Sequence, residues 1–239
     1  MQEYLTEVTS VKALTLNVRE VAVKIIAPEE IVFKPGQAMQ VKIGVKTYES
    51  AIAIAPLEHL NHLIFCINIA DHSPLADFAK AVVVGAQIRM HGPVNDFVAD
   101  NIEKDMLCMA KDVGIAAFVS MIPILLINDF AYNIKLLFEV GSEEDMFYFD
   151  KFSSLGSKYP NFVFTPVVIS PHAHWPGELG TISTYIQLYA EKYKDCAVYV
   201  AGNKEFVEYV SSHWKKRVLV NDRDIKKYVV GGEGVESIQ

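Results

Sequence analysis

The period of the hydrophobic pattern changes near residue 100, and this change constrains the fold more than any other feature. Before it, apolar and polar residues alternate in short runs such as "ALTLNVREVAVKI" and "AMQVKI", separated by turn segments such as "FKPGQ". In the first run, Leu14, Leu16 and Val18 share one face of a predicted strand. About six such strands with Gly and Pro turns predict a small antiparallel barrel or sandwich.

Beyond residue 100, short continuous apolar runs alternate with segments of helical length. The runs are "DMLCMA", "NIKLLFEVG", "NFVFTPVVI" and "CAVYVAG", and "RVLVND" is a predicted fifth strand. The predicted helices are 116–129, 145–159, 181–193 and 204–214. This alternation predicts a parallel sheet with helices on both faces. We place the boundary near Phe97 to Glu103, which gives predicted domains at residues 1–98 and 99–239.

The charge and the cysteines narrow the classes of partner and cofactor. A net charge of −7 argues against a nucleic-acid partner, because phosphate binding needs a basic face. Cys66, Cys108 and Cys196 stand far apart, whereas iron–sulfur clusters and structural zinc need clustered thiolates. We therefore expect reduced cysteines, no iron–sulfur cluster and a cytoplasmic protein. An acidic surface also suits a basic partner protein.

Neither the N-terminal segment nor the most apolar stretch of the sequence indicates a membrane protein. "MQEYLTEVTS" lacks the basic start and apolar core of a signal peptide. The most apolar stretch, Val113 to Ile127, has 15 residues, short of the roughly 20 that a membrane helix needs. We expect a buried helix there and a protein without a membrane segment.

Metal and hydrolase chemistry find little support in the motifs. The close histidine pairs are His59 with His62 and His172 with His174. A metal site needs three or four converging ligands, so we predict no metal. The nucleophile elbow G-x-S-x-G does not occur, which disfavours a hydrolase.

Six segments, in chain order, resemble motifs of the ferredoxin–NADP reductase superfamily, the flavin-dependent NAD(P)H oxidoreductases. They are "FKPGQAMQVKI", "GAQIRMHGPVNDF", "VGIAAFVSMI", "LLFEVGSEEDMFYFDKFSSLGSKYPNFVFTPVV", "HWPGELGTISTYI" and "VYVAGNKEFVEYV". The resemblance covers nearly the whole chain. It implies an antiparallel Greek-key β-barrel of the flavin-binding type, followed by a doubly wound parallel-sheet domain of the NAD(P)-binding type.

The resemblance implies a flavin site on the barrel, with altered residues. The superfamily's R-x-Y-S motif supplies an arginine for phosphate, a tyrosine that stacks on the flavin and a serine near its reactive nitrogen. Counted back from Pro56, the three places fall on Tyr48, Ser50 and Ala51, so the arginine is missing. A bulge in the strand would bring Tyr48 to the flavin, and its other interpretation is a barrel-surface aromatic.

A second flavin element, G-x-x-S/T, is represented by "SPLADF". There a short helix beginning at Pro74 would direct amides at the pyrophosphate of FAD. FMN in place of FAD stays open. The residues expected at the flavin are Tyr48, Ser50, Ala51, Ile52, Ser73, Leu75 and Ala76.

The nicotinamide turn of the superfamily is altered at its centre. Its paired glycines let the backbone approach the pyrophosphate, but "AKDVGIAAFVSM" has Lys111 and Asp112 at those places. The charge of Asp112 would repel phosphate by about 1 kcal/mol or more, which Lys111 would offset. Gly114 and Ile115 keep the helix start, although close helix–strand packing also explains Gly114.

The remaining nicotinamide elements depart as well. The superfamily's C-G-P is Ala201-Gly202-Asn203 here, so the thiol is absent. No arginine is present for a 2′-phosphate, and Glu139 and Glu143 would repel one, so the resemblance favours NADH over NADPH. The residues expected at this nucleotide are Gly114, Ile115, Gly202 and Asn203.

Two functions follow. The first is electron transfer by bound FAD, which is reduced by NADH or works with a partner protein. The alternative is a superfamily member that has lost its cofactors and acts as a binding or scaffolding subunit. An intermediate version keeps the flavin but not the nicotinamide, and passes electrons between proteins.

Overall fold

The computed structural model describes residues 1–43, 46–54, 61–70, 72–218 and 225–231. Packing divides the chain into two compact units. The first is built from Met1–Val98 and Ala116–Met121, and the second from Ala99–Ile115 and Ile122–Val229. The assignment of a flavin-binding function to residues 1–98 and an NAD(P)-binding function to residues 99–239 stays a prediction, since packing alone defines these units.

The first unit is a closed antiparallel barrel, which confirms the prediction for this half of the chain. The strand order is β1-β2-β5-β4-β3-β6. Alternate residues such as Val21, Val23 and Ile25 are buried and pack in the barrel core. The elements are β1 Gln2–Ala13, β2 Val18–Ala27, β3 Ala38–Ile43, β4 Lys46–Ile54, β5 His62–Asn68, α1 Pro74–Ala81 and β6 Gln87–Val94.

One predicted strand is wrong at its start. Leu14 and Leu16 lie in the turn between β1 and β2, and Leu16 is exposed. The backbone N–H groups of Leu14 and Thr15 both donate to the Val18 carbonyl, which closes the hairpin at this point. The alternation seen in the sequence therefore runs across a turn, and β1 lies before it.

The second unit is a six-stranded sheet with the order β10-β9-β8-β7-β11-β12, in which every pairing is parallel. The doubly wound prediction is confirmed. Its strands are β7 Met106–Lys111, β8 Ile134–Val140, β9 Phe162–Val168, β10 Glu178–Leu179, β11 Ala197–Gly202 and β12 Ile225–Val229. Its helices are α3 Phe149–Lys158, α4 Ile182–Tyr189 and α5 Lys204–Val218, and α2 Ala116–Ile127 is divided between the two units.

The four predicted helices agree with α2 to α5 to within a few residues, but the fifth strand is misplaced. The first residues of "RVLVND" end α5, and residues 219–222 lie outside the described residues. The strand β12 begins only at Ile225. Among the described residues, no helix combines the length and the apolar character needed to span a bilayer.

Candidate functional site

A crevice opens at the carboxyl ends of β7, β8 and β11, where the strand order reverses direction. In open α/β sheets, ligands bind at this kind of switch point. A cavity of about 340 Å³ lies there. It is lined by Lys111, Glu139, Thr181, Ser183, Asn203, Glu205, Phe206 and Tyr209.

An ion pair between neighbouring strands occupies the floor of this crevice. Lys111 and Glu139 are register partners at the ends of β7 and β8. The Lys111 Nζ lies 2.9 Å from Oε1 of Glu139, and the Ile182 backbone N–H donates to Oε2 at 2.7 Å. Glu139 is only 3% exposed. Its carboxylate is therefore bound on both oxygens within the protein.

The charges around the pair shift two pKa values. Burial acts to lower the pKa of Lys111, but the hydrogen bond and the charge of Glu139 outweigh it, so this pKa is raised. Burial raises the pKa of Asp112, and the negative charges of Glu139 and Asp145 add to the effect against the attraction of Lys111. Lys111 thus remains cationic, and its charge is paired with Glu139 within the protein.

The two glycines predicted to approach a nucleotide instead approach the protein. A Cβ on Gly114 would lie 2.3 Å from the Ala201 carbonyl oxygen, so this turn packs directly on the end of β11. A Cβ on Gly202 would lie 2.7 Å from the Phe206 ring and 3.3 Å from Cβ of Lys111. The structure brings the predicted residues together, but as packing partners of each other.

The other two predicted nucleotide residues also have structural contacts. Ile115 is fully buried. The Asn203 Oδ1 accepts the backbone N–H of Phe206, and the Val207 N–H donates to the Asn203 carbonyl. Asn203 is therefore the N-cap of α5. Asn203 lines the cavity, but its Oδ1 is hydrogen-bonded to the first turn of α5.

On the barrel, the predicted stacking role of Tyr48 does not fit its position. Tyr48 is 5% exposed and belongs to the barrel core with Met39 and Val41. Ser50 lies two residues further along β4, so it shares this inward face, directly opposite Met39. The bulge in the pairing of β4 with β5 falls after Ile52 and leaves Tyr48 inside. The side chains of Ala51 and Ile52 lie outside the described residues.

The first turn of α1 uses most of its own donors. The Ser73 Oγ caps the helix by accepting the Ala76 N–H at 3.1 Å, and Pro74 has no N–H. This leaves Leu75 as the one residue of 74–76 whose amide is available to a phosphate. The side chains of Leu75 and Ala76 are buried against the barrel core and contribute packing.

Comparison with known proteins gives the same two-part architecture. Residues 109–212 match the family model of the oxidoreductase NAD-binding domain. The electron transfer component of toluate 1,2-dioxygenase from Pseudomonas putida is 22% identical over 88% of this chain and 62% of its own length. The electron transfer component of anthranilate 1,2-dioxygenase from Acinetobacter baylyi is 19% identical over 81% of this chain and 57% of its own. This chain thus spans about three fifths of the length of the curated relatives it matches.

Solved structures share the whole fold. The cytochrome P450 reductase of Amycolatopsis superposes with a TM-score of 0.84 at 17% identity, over 95% of this chain and 69% of that one. A ferredoxin NADP+ reductase from Neisseria gonorrhoeae with bound FAD and NADP gives 0.77 at 18% identity, over 95% of this chain and 98% of that one. The chain thus shares the two-part fold of these reductases, and residues 109–212 match the oxidoreductase NAD-binding domain. The resemblance of its six motifs is confirmed.

The superfamily's nicotinamide dinucleotide does not fit the residues of the crevice. A pyrophosphate carries negative charge, and the charged side chains that line the cavity are Lys111, Glu139 and Glu205. The cation among them is already bound to Glu139. Asp112 adds a further carboxyl group beside the turn, at a φ of 47°. The negative charges around the crevice and the pairing of Lys111 with Glu139 both oppose the binding of a dinucleotide here.

Two places on the barrel bear on the superfamily's flavin. Because Tyr48 and Ser50 face inward, a flavin on β4 would contact the other face of this strand, whose side chains lie outside the described residues. The amide of Leu75 at the start of α1 is the donor that remains for a phosphate. A flavin at this site would be held by a backbone amide and by one face of β4, because the arginine of the superfamily motif is missing.

Sequence reasoning missed the partner of Lys111 and the polar wall of the crevice. Glu139 was expected to repel a 2′-phosphate, whereas it holds Lys111 and the start of α4. Thr181 and Ser183 are part of the "GTIST" segment, and Phe206 begins the first turn of α5. Their position after two parallel strands was the available signal, because such residues meet at one edge of the sheet.

A separate group of side chains could contact a cation. Oxygen atoms of Glu143 and Glu144 and a nitrogen of His172 lie within 4.8 Å of one another. However, Nδ1 of His172 faces Glu143 at 3.3 Å, while Nε2 faces Glu144 at 3.4 Å. Each ring nitrogen thus has its own carboxylate, and we assign no metal to this exposed group.

Proposed function

We propose that the chain is the flavin-carrying module of an electron-transfer system and takes its electrons from a partner protein instead of NADH. The relatives named as electron transfer components support the general function. The observation that favours a partner protein over NADH is the buried Glu139 carboxylate, which is bound by Lys111 and the Ile182 amide. With both groups bound to Glu139, neither is available to the phosphates of NADH.

FAD would lie on the outer face of β4, with a phosphate oxygen at the Leu75 amide. A flavin supplies one- and two-electron redox chemistry, and the protein contributes binding, orientation and electrostatics. The negative net charge favours a partner with a basic docking face. We also propose a cytoplasmic location, where the three free cysteines stay reduced.

A second candidate function is that of a binding subunit without cofactors. The observation in its favour is that Ser73 and Pro74 together remove two of the donors that the start of α1 would offer a pyrophosphate. In this case the crevice and the barrel serve only as scaffolding, and the protein acts through its surface.

Titration of the purified protein with FAD separates the two candidates. The experiment compares the wild type with Ser73→Gly, which releases the Ala76 N–H at a cost of a few tenths of a kcal/mol in helix stability. The matched control is Thr181→Gly, because Thr181 caps α4 in the same way through the Thr184 N–H. We expect FAD binding by the wild type, several-fold tighter binding by Ser73→Gly, and unchanged binding by Thr181→Gly. Failure of all three to bind FAD would support the binding subunit.

A further inference from the structure

The contacts of Glu139 have the chemistry of an anion site. A lysine ammonium and the first backbone amide of a helix converge on one point, and this donor set binds phosphate and carboxylate groups. The helix is α4, whose first residue is Ile182. Its N-cap Thr181 accepts the Thr184 N–H at 3.1 Å, two residues beyond Ile182. The Ile182 amide is thus left to serve an anion, and the anion it meets is Glu139.

The Glu139 carboxylate contacts both donors of this anion site. Oε1 faces Nζ of Lys111 at 2.9 Å and Oε2 accepts from Ile182 at 2.7 Å, so each donor has its own oxygen. The Glu139 side chain is 4% exposed, while that of Lys111 is 27% exposed. The Lys111 ammonium also lies 5.9 Å from the centre of the Phe206 ring, which helps to hold it in place. A tethered carboxylate has a large advantage over a free anion, because its binding is intramolecular.

We propose that Glu139 is a built-in occupant of an anion site formed by Lys111 and the start of α4, and that it excludes phosphate-bearing ligands from the crevice. The exclusion acts through the negative charge that Glu139 holds at these two donors, and not through the other carboxylate that lines the cavity, Glu205. Removal of the carboxylate charge would therefore turn the crevice into a phosphate-binding site.

This inference rests on the proposed function, since both place the loss of dinucleotide binding in the crevice. Its test uses neither flavin nor electron transfer. If the protein failed to bind FAD, the proposed function would fall while the occupation of the anion site by Glu139 would stand or fall on phosphate binding alone.

The test measures the binding of inorganic phosphate to the full chain by calorimetry and by the rise of Tm, at constant ionic strength set with chloride. The variant is Glu139→Gln, which keeps an acceptor for Ile182 and removes the charge. The matched control is Glu205→Gln, because Glu205 lines the same cavity but makes no contact with the Ile182 amide among the described residues. The double variant Glu139→Gln with Lys111→Met removes the remaining cation.

We expect Glu139→Gln to bind phosphate at least about tenfold more tightly than the wild type, an order of magnitude typical of removing one close like charge. Glu205→Gln should show no comparable gain, and the double variant should lose it. Equal binding by wild type and Glu139→Gln, or an equal gain in Glu205→Gln, would overturn the inference.

A measurement on the wild type keeps the inference testable if Glu139→Gln does not fold. In a titration with phosphate followed by amide NMR, the Ile182 resonance should not move, because its proton is already bound to Glu139. A saturable shift of this resonance with phosphate would show that an external anion reaches the anion site, and the inference would be wrong.

Discussion

At the scale of single residues, the crevice is stabilised by contacts between its own side chains and backbone groups. The Lys111 ammonium has a carboxylate partner, the Ile182 amide has an acceptor, and Gly114 touches backbone instead of ligand. Buried polar groups need partners because desolvation without a hydrogen bond is costly. This set of residues meets that need without any added molecule.

Gly114→Ala should strongly destabilise the protein. The new Cβ would lie 2.3 Å from the Ala201 carbonyl oxygen, and backbone cannot move aside as a flexible side chain can. We expect the free energy of unfolding to fall by about 3 kcal/mol, as for other overpacked positions. Urea denaturation measures it. Gly156→Ala in α3 is the control, because its Cβ meets nothing closer than 3.8 Å and alanine should add about 0.5–1 kcal/mol. Equal stability of the two variants would contradict this account of Gly114.

Asp112→Asn should stabilise the protein at pH 7. Burial raises the pKa of Asp112, so the folded state favours the protonated form and the ionised carboxylate costs stability. The cost disappears as the pH falls through the raised pKa of the folded state and then through the ordinary pKa of an aspartate. Asparagine also tolerates the φ of 47° at this position.

We expect a gain below about 1 kcal/mol at pH 7 that vanishes near pH 3, measured by urea denaturation across this range. Asp150→Asn is the control with the opposite sign at pH 7. Asp150 is an exposed carboxylate in the first turn of α3, where it interacts favourably with the helix dipole. A loss of stability in Asp112→Asn at pH 7 would refute the proposed cost of the buried charge.

The residues of the crevice could be predicted only in part. Gly114 and Gly202 were identified from motif positions, and the structure brings both to the crevice. The pairing of Lys111 with Glu139 could not be predicted, because it depends on the register of two strands that are far apart in sequence. The inward position of Tyr48 depends in the same way on which face of β4 meets the barrel core.

At the scale of elements, three helices begin at their own N-caps. Asn203 caps α5, Thr181 caps α4 and Ser73 caps α1. Each cap takes a first-turn N–H that a phosphate would otherwise bind. The same chemistry that starts these helices therefore reduces their capacity for anions.

Asn203→Ala should destabilise α5 by about 1 kcal/mol, the usual cost of a lost N-cap. Asn203→Ser should restore most of the loss, because a hydroxyl can accept the Phe206 N–H. Urea denaturation of the three proteins measures the effect. If Asn203 served only a ligand, both variants would unfold at the wild-type denaturant concentration.

The elements themselves were largely predictable. Continuous apolar runs such as β7 and β11 are buried on both faces, and this burial produces the pattern that was recognised. The strand β1 was missed because one of its inward positions is the polar Thr6, while the apolar Leu5 lies on the other face. The misplaced fifth strand followed from an apolar "RVLV" whose first residues complete α5.

At the scale of the whole molecule, the fold of an oxidoreductase is retained while the two cofactor regions differ. The α/β unit matches the oxidoreductase NAD-binding domain family from residue 109 to 212. In its switch-point crevice, Lys111 is paired with Glu139. On the barrel, one face of β4 and the Leu75 amide are the places proposed for a flavin. Our central claim is that this combination supports a flavin fed by another protein.

The measurement that tests this claim most directly is an anaerobic titration of the FAD-loaded protein with NADH, followed by absorbance of the flavin. The account predicts that the flavin stays oxidised in excess NADH and is bleached afterwards by dithionite, which shows that it is bound and reducible. Complete bleaching by one equivalent of NADH would contradict the account, because it would require a dinucleotide in the crevice that Glu139 is proposed to close.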